Sequence, residues 1–451
     1  RLKVRGPAQV PWVQGQAGVR RGEPRRAARR AARLHRQDSG YAHPRIRNRS
    51  AGLGCTREAI TSWKLLPMDF NLSDEQTALA DALSRFVEYH YSSDQRARAG
   101  SRPEGFDPDN WRRLAETGVV MLALREENGG LGGSAVDMMV ALQALGPGLI
   151  LDPWLPTITV ARIIERAGSA GQKQDWLERL AGGQALVGFA HTEARGWGQL
   201  HHCETRAIPN ADGGYCLDGA KVLALGGGSS ALLVTARTSG AVDDPEGISF
   251  FLVDGAAPGL SRQPFRLADG SVAEALRFTA CQVGPSAIVG AADRAFPVLQ
   301  LVIAQVCAML SSEAIGILDR MMADTAEHLR TRRQFGVALS SFQVLQHRMA
   351  DCAAELELAR ALVLKAAMQL SDLATKPAEQ LIGAFGAKAF CGSAAVRIAE
   401  ECVQFHGAIG LTEELWVGRA MKRLVLIAGL FGDARAQTER NDMIRKAEIS
   451  R

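Results

Sequence analysis

What the chain lacks narrows it quickly. Its eight cysteines (Cys55, Cys203, Cys216, Cys281, Cys307, Cys352, Cys391, Cys402) form no C-x-x-C pair and no zinc-ligand spacing. They read as reduced, mostly buried thiols, which argues against a disulfide-stapled secreted scaffold and against a zinc module. No uninterrupted apolar run reaches the ~20 residues that cross a bilayer, so the expectation is a soluble, cytoplasmic protein with no membrane partner. No G-x-G-x-x-G follows a strand-like run, and nothing argues for a Rossmann domain. The folded part carries no basic stripe, which leaves nucleic acid as the least favoured partner.

What is present is an ordinary globular composition. The chain has 451 residues, 47% hydrophobic and 22% charged, enough for two or three domains with ample core. The formal net charge is only +5, and much of the excess lies in residues 1–67, which are crowded with arginine and poor in acids. That segment has no sustained apolar period and reads as a basic extension, disordered or non-native. Three origins stay open for it: an organelle transit peptide, a basic nucleic-acid arm, or upstream sequence ahead of the helix signal that opens at Met68-Asp69-Phe70.

From Ser73 the pattern is helical. Ser73 and Gln76 make a capping box, and Leu79, Leu83, Phe86 and Val87 recur on one face. Further helical stretches follow at Trp111–Glu116, Val136–Leu145, Val160–Ala167 and Gln172–Leu180, with a glycine-rich loop at Asn128–Gly133 between them. A helical domain over 68–184 results. Short strand-like runs with Asp-Gly and Gly-Gly punctuation then predict an antiparallel β domain over 185–290, including Leu186–Ala190, Ala231–Ala236 and Ile248–Val253. From 291 to 451 long helical periods return, at Val302–Leu329, Ser341–Leu370 and Pro377–Gln404, as in a bundle. The fold class is α+β: an N-terminal helical domain, a middle β domain and a C-terminal four-helix bundle.

Three motifs punctuate that bundle. Arg332-Arg333-Gln334-Phe335-Gly336 closes its first helix, and Phe342-Gln343-Val344-Leu345-Gln346-His347-Arg348 opens the second. The glycine turn Gln404-Phe405-His406-Gly407-Ala408-Ile409-Gly410 ends the third. Alone, Arg332 reads equally as a helix C-terminal charge, and the glycine turn as a plain helix connection that lets the backbone approach a neighbour or a ligand. Together, in this order and within an α–β–α frame, the motifs resemble the acyl-CoA dehydrogenase family of flavoproteins, from Met68 to about Arg440. Within it, the Arg-Gln-Phe-Gly, Ser-Phe-Gln-Val-Leu-Gln-His-Arg and Leu-Phe-Gly-Asp runs are similar to the small subunit of a pimeloyl-CoA dehydrogenase and its relatives.

The resemblance implies FAD lying across a subunit interface. Arg332 and Phe335 would meet its ADP part, Gln343 would assist, and another subunit's glycine turn would supply Gln404 and Gly407. A guanidinium fork suits a pyrophosphate. In the β domain, Phe189-Ala190-His191-Thr192-Glu193 stands where the family's flavin-contacting strand ends in Thr-Glu-Pro-Gly, so Phe189, His191 and Thr192 join the expected cofactor contacts. The next strand, Val222-Leu223-Ala224-Leu225, lacks the family's tryptophan and threonine, which makes that wall less polar than usual.

The implied reaction removes an α-proton from an acyl-CoA as hydride passes from the β-carbon to the flavin. It also implies an electron-transfer flavoprotein or similar acceptor, and a homo- or hetero-oligomer. The glutamate base of the family is missing from both of its usual places, which here hold Phe431 and a stretch near Val306, flanked by Gln305 and Cys307. The nearest acid is Asp433, either a catalytic base or the N-cap of the helix it precedes, while Glu313 reads as a solvated or paired helix residue. Three readings follow: a self-sufficient dehydrogenase acting on a bulky or dicarboxylic acyl group, a base-deficient partner subunit of a heteromer, or a flavin-binding paralogue without dehydrogenase activity.

Overall fold

A computed structural model describes residues 71–449; the basic extension 1–67, Met68 and Cys55 lie outside the described residues. Seven helices come first: α1 Asp74–His90, α2 Ser93–Ser101, α3 Pro108–Glu116, α4 Val119–Leu122, α5 Ala135–Leu145, α6 Trp154–Ala167 and α7 Ala170–Ala181. Four of them start at the same device. Ser73, Ser92, Ser134 and Ser169 each accept the backbone amide three residues on, and Gln76, Gln95, Asp137 or Gln172 there binds back to the serine amide. Each box satisfies two donors that a helix start otherwise leaves unpaired. α6 begins earlier than its apolar period suggests, because Pro153 sets the chain direction just ahead of Trp154.

The sheet follows, with β1 Val187–Thr192, β2 Arg206–Pro209, β3 Tyr215–Leu225, β4 Ala231–Arg237, β5 Ile248–Asp254, β6 Leu260–Arg266, β7 Val272–Val283 and β8 Ile288–Val289. Their order is β6-β7-β3-β1-β4-β5-β8, with β2 beside β3 and β4. The sheet is not purely antiparallel as the punctuation suggests: β1 runs parallel to β4, Phe189 opposite Leu233, because β2 and β3 intervene in sequence. β6 carries no apolar run and is invisible in the sequence; it is an edge strand, where Pro264 costs no ladder bond of a central strand. Alternation sends Phe189, Leu223 and Leu225 into the helical core, whereas Ala190 and Ala224 face the core of the sheet itself.

The bundle is α8 Ala295–Thr331, the two-residue strands β9 Arg333–Gln334 and β10 Val337–Ala338, then α9 Gln343–Ser371, α10 Pro377–His406, α11 Trp416–Gly429 and α12 Ala434–Ile449. Two helical stretches, Ala295–Thr331 and Pro377–Leu411, are long and apolar enough to cross a membrane, although no unbroken apolar run marks them. The most apolar window of α8 is 94% buried inside the fold, as the central helix of a bundle must be. All seven cysteines among the described residues are free.

One buried ion cluster ties these layers together. Arg423 on α11 donates from Nε and Nη2 to both oxygens of Glu313 on α8, each at 2.8 Å, and from Nη1 to Asp269 in the β6–β7 turn at 2.9 Å. Arg96 on α2 reaches the Asp269 and Leu149 carbonyls, at 2.6 and 2.9 Å. Glu313 is therefore paired, and buried rather than solvated. Burial alone would raise the Asp269 carboxyl; Arg423 and the Ser271 hydroxyl and amide outweigh it and hold the group below the usual aspartate range. Replacing Arg423 with methionine strands two buried carboxylates and is expected to cost about 3–5 kcal/mol in chemical denaturation. Because the Asp269 pKa is depressed on folding, its contribution is present at neutral pH and disappears as pH falls through the folded value. The wild-type protein should therefore lose stability in acid more steeply than Asp269→Asn.

Candidate functional site

The flavin-facing wall predicted in the β domain is built by β1 and β3. The register shifts between Ala190 and Thr192, so a bulge falls at His191 and re-aims its side chain. His191 is buried, 6.2 Å from the Phe189 ring in a near-parallel stack, and its Nδ1 lies 3.0 Å from the Thr235 hydroxyl. Burial, with the Lys221 charge behind it, pushes its pKa down to about 3, so the ring is neutral in any physiological medium. Lys221 is itself buried, donating to Glu193 Oε1 at 2.6 Å and to Thr235 at 3.2 Å. Burial would raise the Glu193 carboxyl, but Lys221, Thr205 and the Glu204 amide bring it down to about 2. Glu193 is thus spent on structure. Thr192 is half-buried, and together with His191, Glu193, Gly196, Gly198 and Phe431 it borders a small space.

Phe431 closes that space from the bundle side. It sits at φ +58° and Gly432 at φ +104°, a left-handed pair that turns α11 into α12. Its ring centroid is 6.3 Å from Phe189. Gln437 donates to the Phe431 and Gly432 carbonyls at 3.0 Å, and Arg440 to the Phe431 and Gly198 carbonyls at 3.1 and 2.6 Å, stitching the turn to the loop after β1. Asp433 is exposed and accepts the Ala436 amide at 2.9 Å, the geometry of a helix N-cap. Val306 and Cys307 are fully buried on α8, and Gln305 accepts from Arg162 Nε at 2.8 Å. Neither Phe431 nor Val306, at the two expected positions, can take up a proton.

The other expected contacts gather at the far end of the bundle. Phe335 and Gly336, at φ +53° and +81°, form the two-residue turn of the β9–β10 hairpin. Such a turn demands positive φ at both positions and normally takes Asn-Gly; phenylalanine there is strained. It is also 90% exposed, touching the edge of Phe342 at 6.2 Å. Arg332, Gln343, Gln404 and Gly407 are likewise exposed. His328 stacks on His406 at 4.3 Å, which brings the ends of α8 and α10 together. The 37 residues of α8 span about 55 Å, with the β domain at one end and this hairpin at the other. The two sets of expected contacts therefore lie apart along α8, the Phe431 side meeting it near Cys307.

The comparisons with known proteins decide the family. The pattern described as "Acyl-CoA dehydrogenase, N-terminal domain" matches residues 73–184, and "Acyl-CoA dehydrogenase, C-terminal domain" matches residues 296–439. This chain belongs to the acyl-CoA dehydrogenase family. A short-chain-specific acyl-CoA dehydrogenase of Clostridium acetobutylicum is 26% identical over 364 residues, 79% of this chain and 93% of that protein. A solved variant of the Tcur3481-Tcur3483 steroid ACAD is 26% identical with a TM-score of 0.74, over 84% of this chain and 99% of that one. PigA with FAD and proline shares the fold at a TM-score of 0.77 and 22% identity, over 85% of this chain and all (100%) of that one.

PigA is solved with FAD, and the bundle end of this chain carries groups that would fit the adenosine diphosphate part of such a cofactor. A guanidinium, an exposed aromatic ring held out at a strained φ, and two amide side chains stand there together, the donor set a pyrophosphate and an adenine ring require. The flavin end offers the Thr192 hydroxyl and little else that is polar, since Leu223, Ala224 and Leu225 are buried apolar side chains.

Beside this wall lies a cleft the sequence does not announce. It is bordered by Phe106, Leu155, Leu225, Leu426 and Leu430, with Asp152 and Arg423 among its polar side chains. Asp152 is 6% exposed; burial raises its carboxyl to about 7. Its signal in sequence, Leu151-Asp152-Pro153-Trp154, is only that of a turn, and nothing there reveals that the carboxylate turns inward. Arg332→Ala is expected to weaken FAD retention by about 2 kcal/mol, roughly thirtyfold in dissociation constant, measured by flavin release on dilution. Arg320→Ala, which removes a cation stacked on Trp416 elsewhere, should leave FAD retention unchanged.

Proposed function

We propose that this chain serves as one subunit of an assembly that desaturates a bulky acyl-CoA between its α- and β-carbons, with the proton-abstracting carboxylate supplied by another chain. The observation that carries this reading is Phe431. It occupies the turn where the family's base is expected and faces Phe189 and the His191–Thr192 space; the carboxylate that also borders that space, Glu193, is engaged by Lys221 and by the Thr205 hydroxyl and amide. Asp433 points to the Ala436 amide instead. Bound FAD would accept the hydride and hand its electrons to an electron-transfer flavoprotein or similar acceptor. This chain's own residues would shape the acyl cleft through Leu225, Leu426 and Leu430, and offer Arg332, Phe335, Gln343 and Gln404 to FAD across a subunit boundary.

Of the two acyl classes the sequence suggests, the bulky one is better supported. The cleft's cation, Arg423, is already matched by Glu313 and Asp269, while Asp152 and Glu104 also border the space. A second carboxylate on the substrate would find repulsion there.

The test is anaerobic mixing with a ring-bearing acyl-CoA while flavin absorbance is followed, for the chain alone and for the chain co-expressed with a second family member. Bleaching is expected only for the co-expressed pair. Phe431→Glu, which returns a carboxylate to the turn, should give the lone chain slow bleaching. Rapid bleaching by the unaltered lone chain, abolished in Asp433→Asn, would replace this reading with a self-sufficient enzyme based on Asp433.

A further inference from the structure

Asp152 stands between two clefts rather than in one. On one side is the cleft lined mainly by apolar side chains that ends at Leu430; on the other is a space bordered by His90, Gln95, Arg96, Asn110 and Arg113. Leu151 and Asp152 are common to both walls. Oδ2 of Asp152 accepts the Tyr91 hydroxyl at 2.7 Å, which fixes the plane of the carboxylate. Asn110 stands close enough to temper the rise of the carboxyl pKa that burial causes. Even so, Oδ1 has no hydrogen-bond partner, although the side chain is more than nine-tenths buried. A buried carboxylate oxygen left without a donor is unfavourable, and no other group described above uses it. The cleft's remaining ions add to the imbalance, since Arg423 is shared between two carboxylates.

We infer that Asp152 recognises a hydrogen-bond donor, a hydroxyl or an ammonium, carried on the distal part of the acyl group. The inference rests on the acyl-thioester reading above and adds the substrate's polar chemistry to it. An acyl chain entering beside Leu225 and Leu430 would lie against apolar side chains and meet Oδ1 at the wall between the two spaces. A hydroxyl or ammonium there satisfies the unpaired acceptor and a methyl group leaves it unpaired; a carboxylate faces like charge at pH above about 7, where Asp152 is ionised and where the binding series is run. Selectivity of this kind comes from a polar site left unsatisfied by the wrong ligand.

The assembly as purified, with its flavin, would be titrated calorimetrically with plain, ω-hydroxy, ω-amino and ω-carboxy acyl-CoAs at hexanoyl, octanoyl and decanoyl length. At the length that reaches Asp152, the hydroxyl or amino form is expected to bind at least about tenfold more tightly than the plain chain, and the ω-carboxy form more weakly. Asp152→Leu should reverse that order, and Asp152→Asn should keep hydroxyl binding while losing any amine preference, which tells the two donors apart. Equal affinity for all forms at every length would overturn the assignment while leaving the acyl-thioester reading intact, and so would a preference unchanged in Asp152→Leu. Absence of binding by any acyl-CoA, plain forms included, would overturn both. The wild-type series decides the matter even if a variant does not fold.

Discussion

The contact on which the rest depends is the guanidinium of Arg423. Three of its donors are spent on two carboxylates that come from α8 and from the β6–β7 turn, and all three side chains are almost fully buried. Charges so deep are tolerable only when each is matched and hydrogen-bonded. The pairing consequently fixes α11 against α8 and against the sheet, and Arg96 extends the tie to α2 through the Asp269 backbone. Everything that borders the acyl cleft, from Phe106 to Leu430, hangs on elements that this cluster holds in register. Because Arg423 is committed to the cluster, it has no charge left over to offer a substrate in the cleft.

Two Phe-Gly turns share one backbone device and have opposite surroundings. Phe335-Gly336 and Phe431-Gly432 both take positive φ at both positions, which no phenylalanine adopts without strain. At the bundle end the hairpin ladder forces the strain and the ring is left in solvent. At the α11–α12 junction Gln437 and Arg440 clamp the Phe431 and Gly432 carbonyls, and the ring is turned inward toward Phe189. Glycine is obligatory after Phe431: a Cβ on Gly432 would come within 2.9 Å of Ala436 and 3.2 Å of Gly198. The outward turn leaves its ring free to meet another molecule and the inward one makes its ring a wall, so the same local geometry serves opposite surroundings at the two ends of the chain.

Buried polar groups in the β domain follow a similar economy. Lys221, Glu193, Thr205 and Thr235 satisfy one another and leave His191 neutral beside them. Asp152 breaks that pattern with an oxygen that no donor among the described residues satisfies.

Local chemistry makes much of this chain legible in advance. Ser73 with Gln76 announces the first helix because both partners of a capping box lie within one turn; the structure adds boxes of the same spacing at Ser92, Ser134 and Ser169. The Arg-Gln-Phe-Gly run marks the end of α8, and the absence of a carboxylate at Phe431 is readable by position alone. By contrast, β6 has no apolar face to give it away, since an edge strand buries little. Glu313 and Asp152 could not be placed, since a carboxylate's burial is decided by partners 110 and 61 residues distant, Arg423 and Tyr91. Sequence by itself determined the order of layers, because caps, periods and turns act over a few residues. Only the tertiary structure decided that the bundle hairpin and the β1–β3 wall lie apart along α8 and that Asp152 borders a cleft, because those facts depend on how distant segments pack.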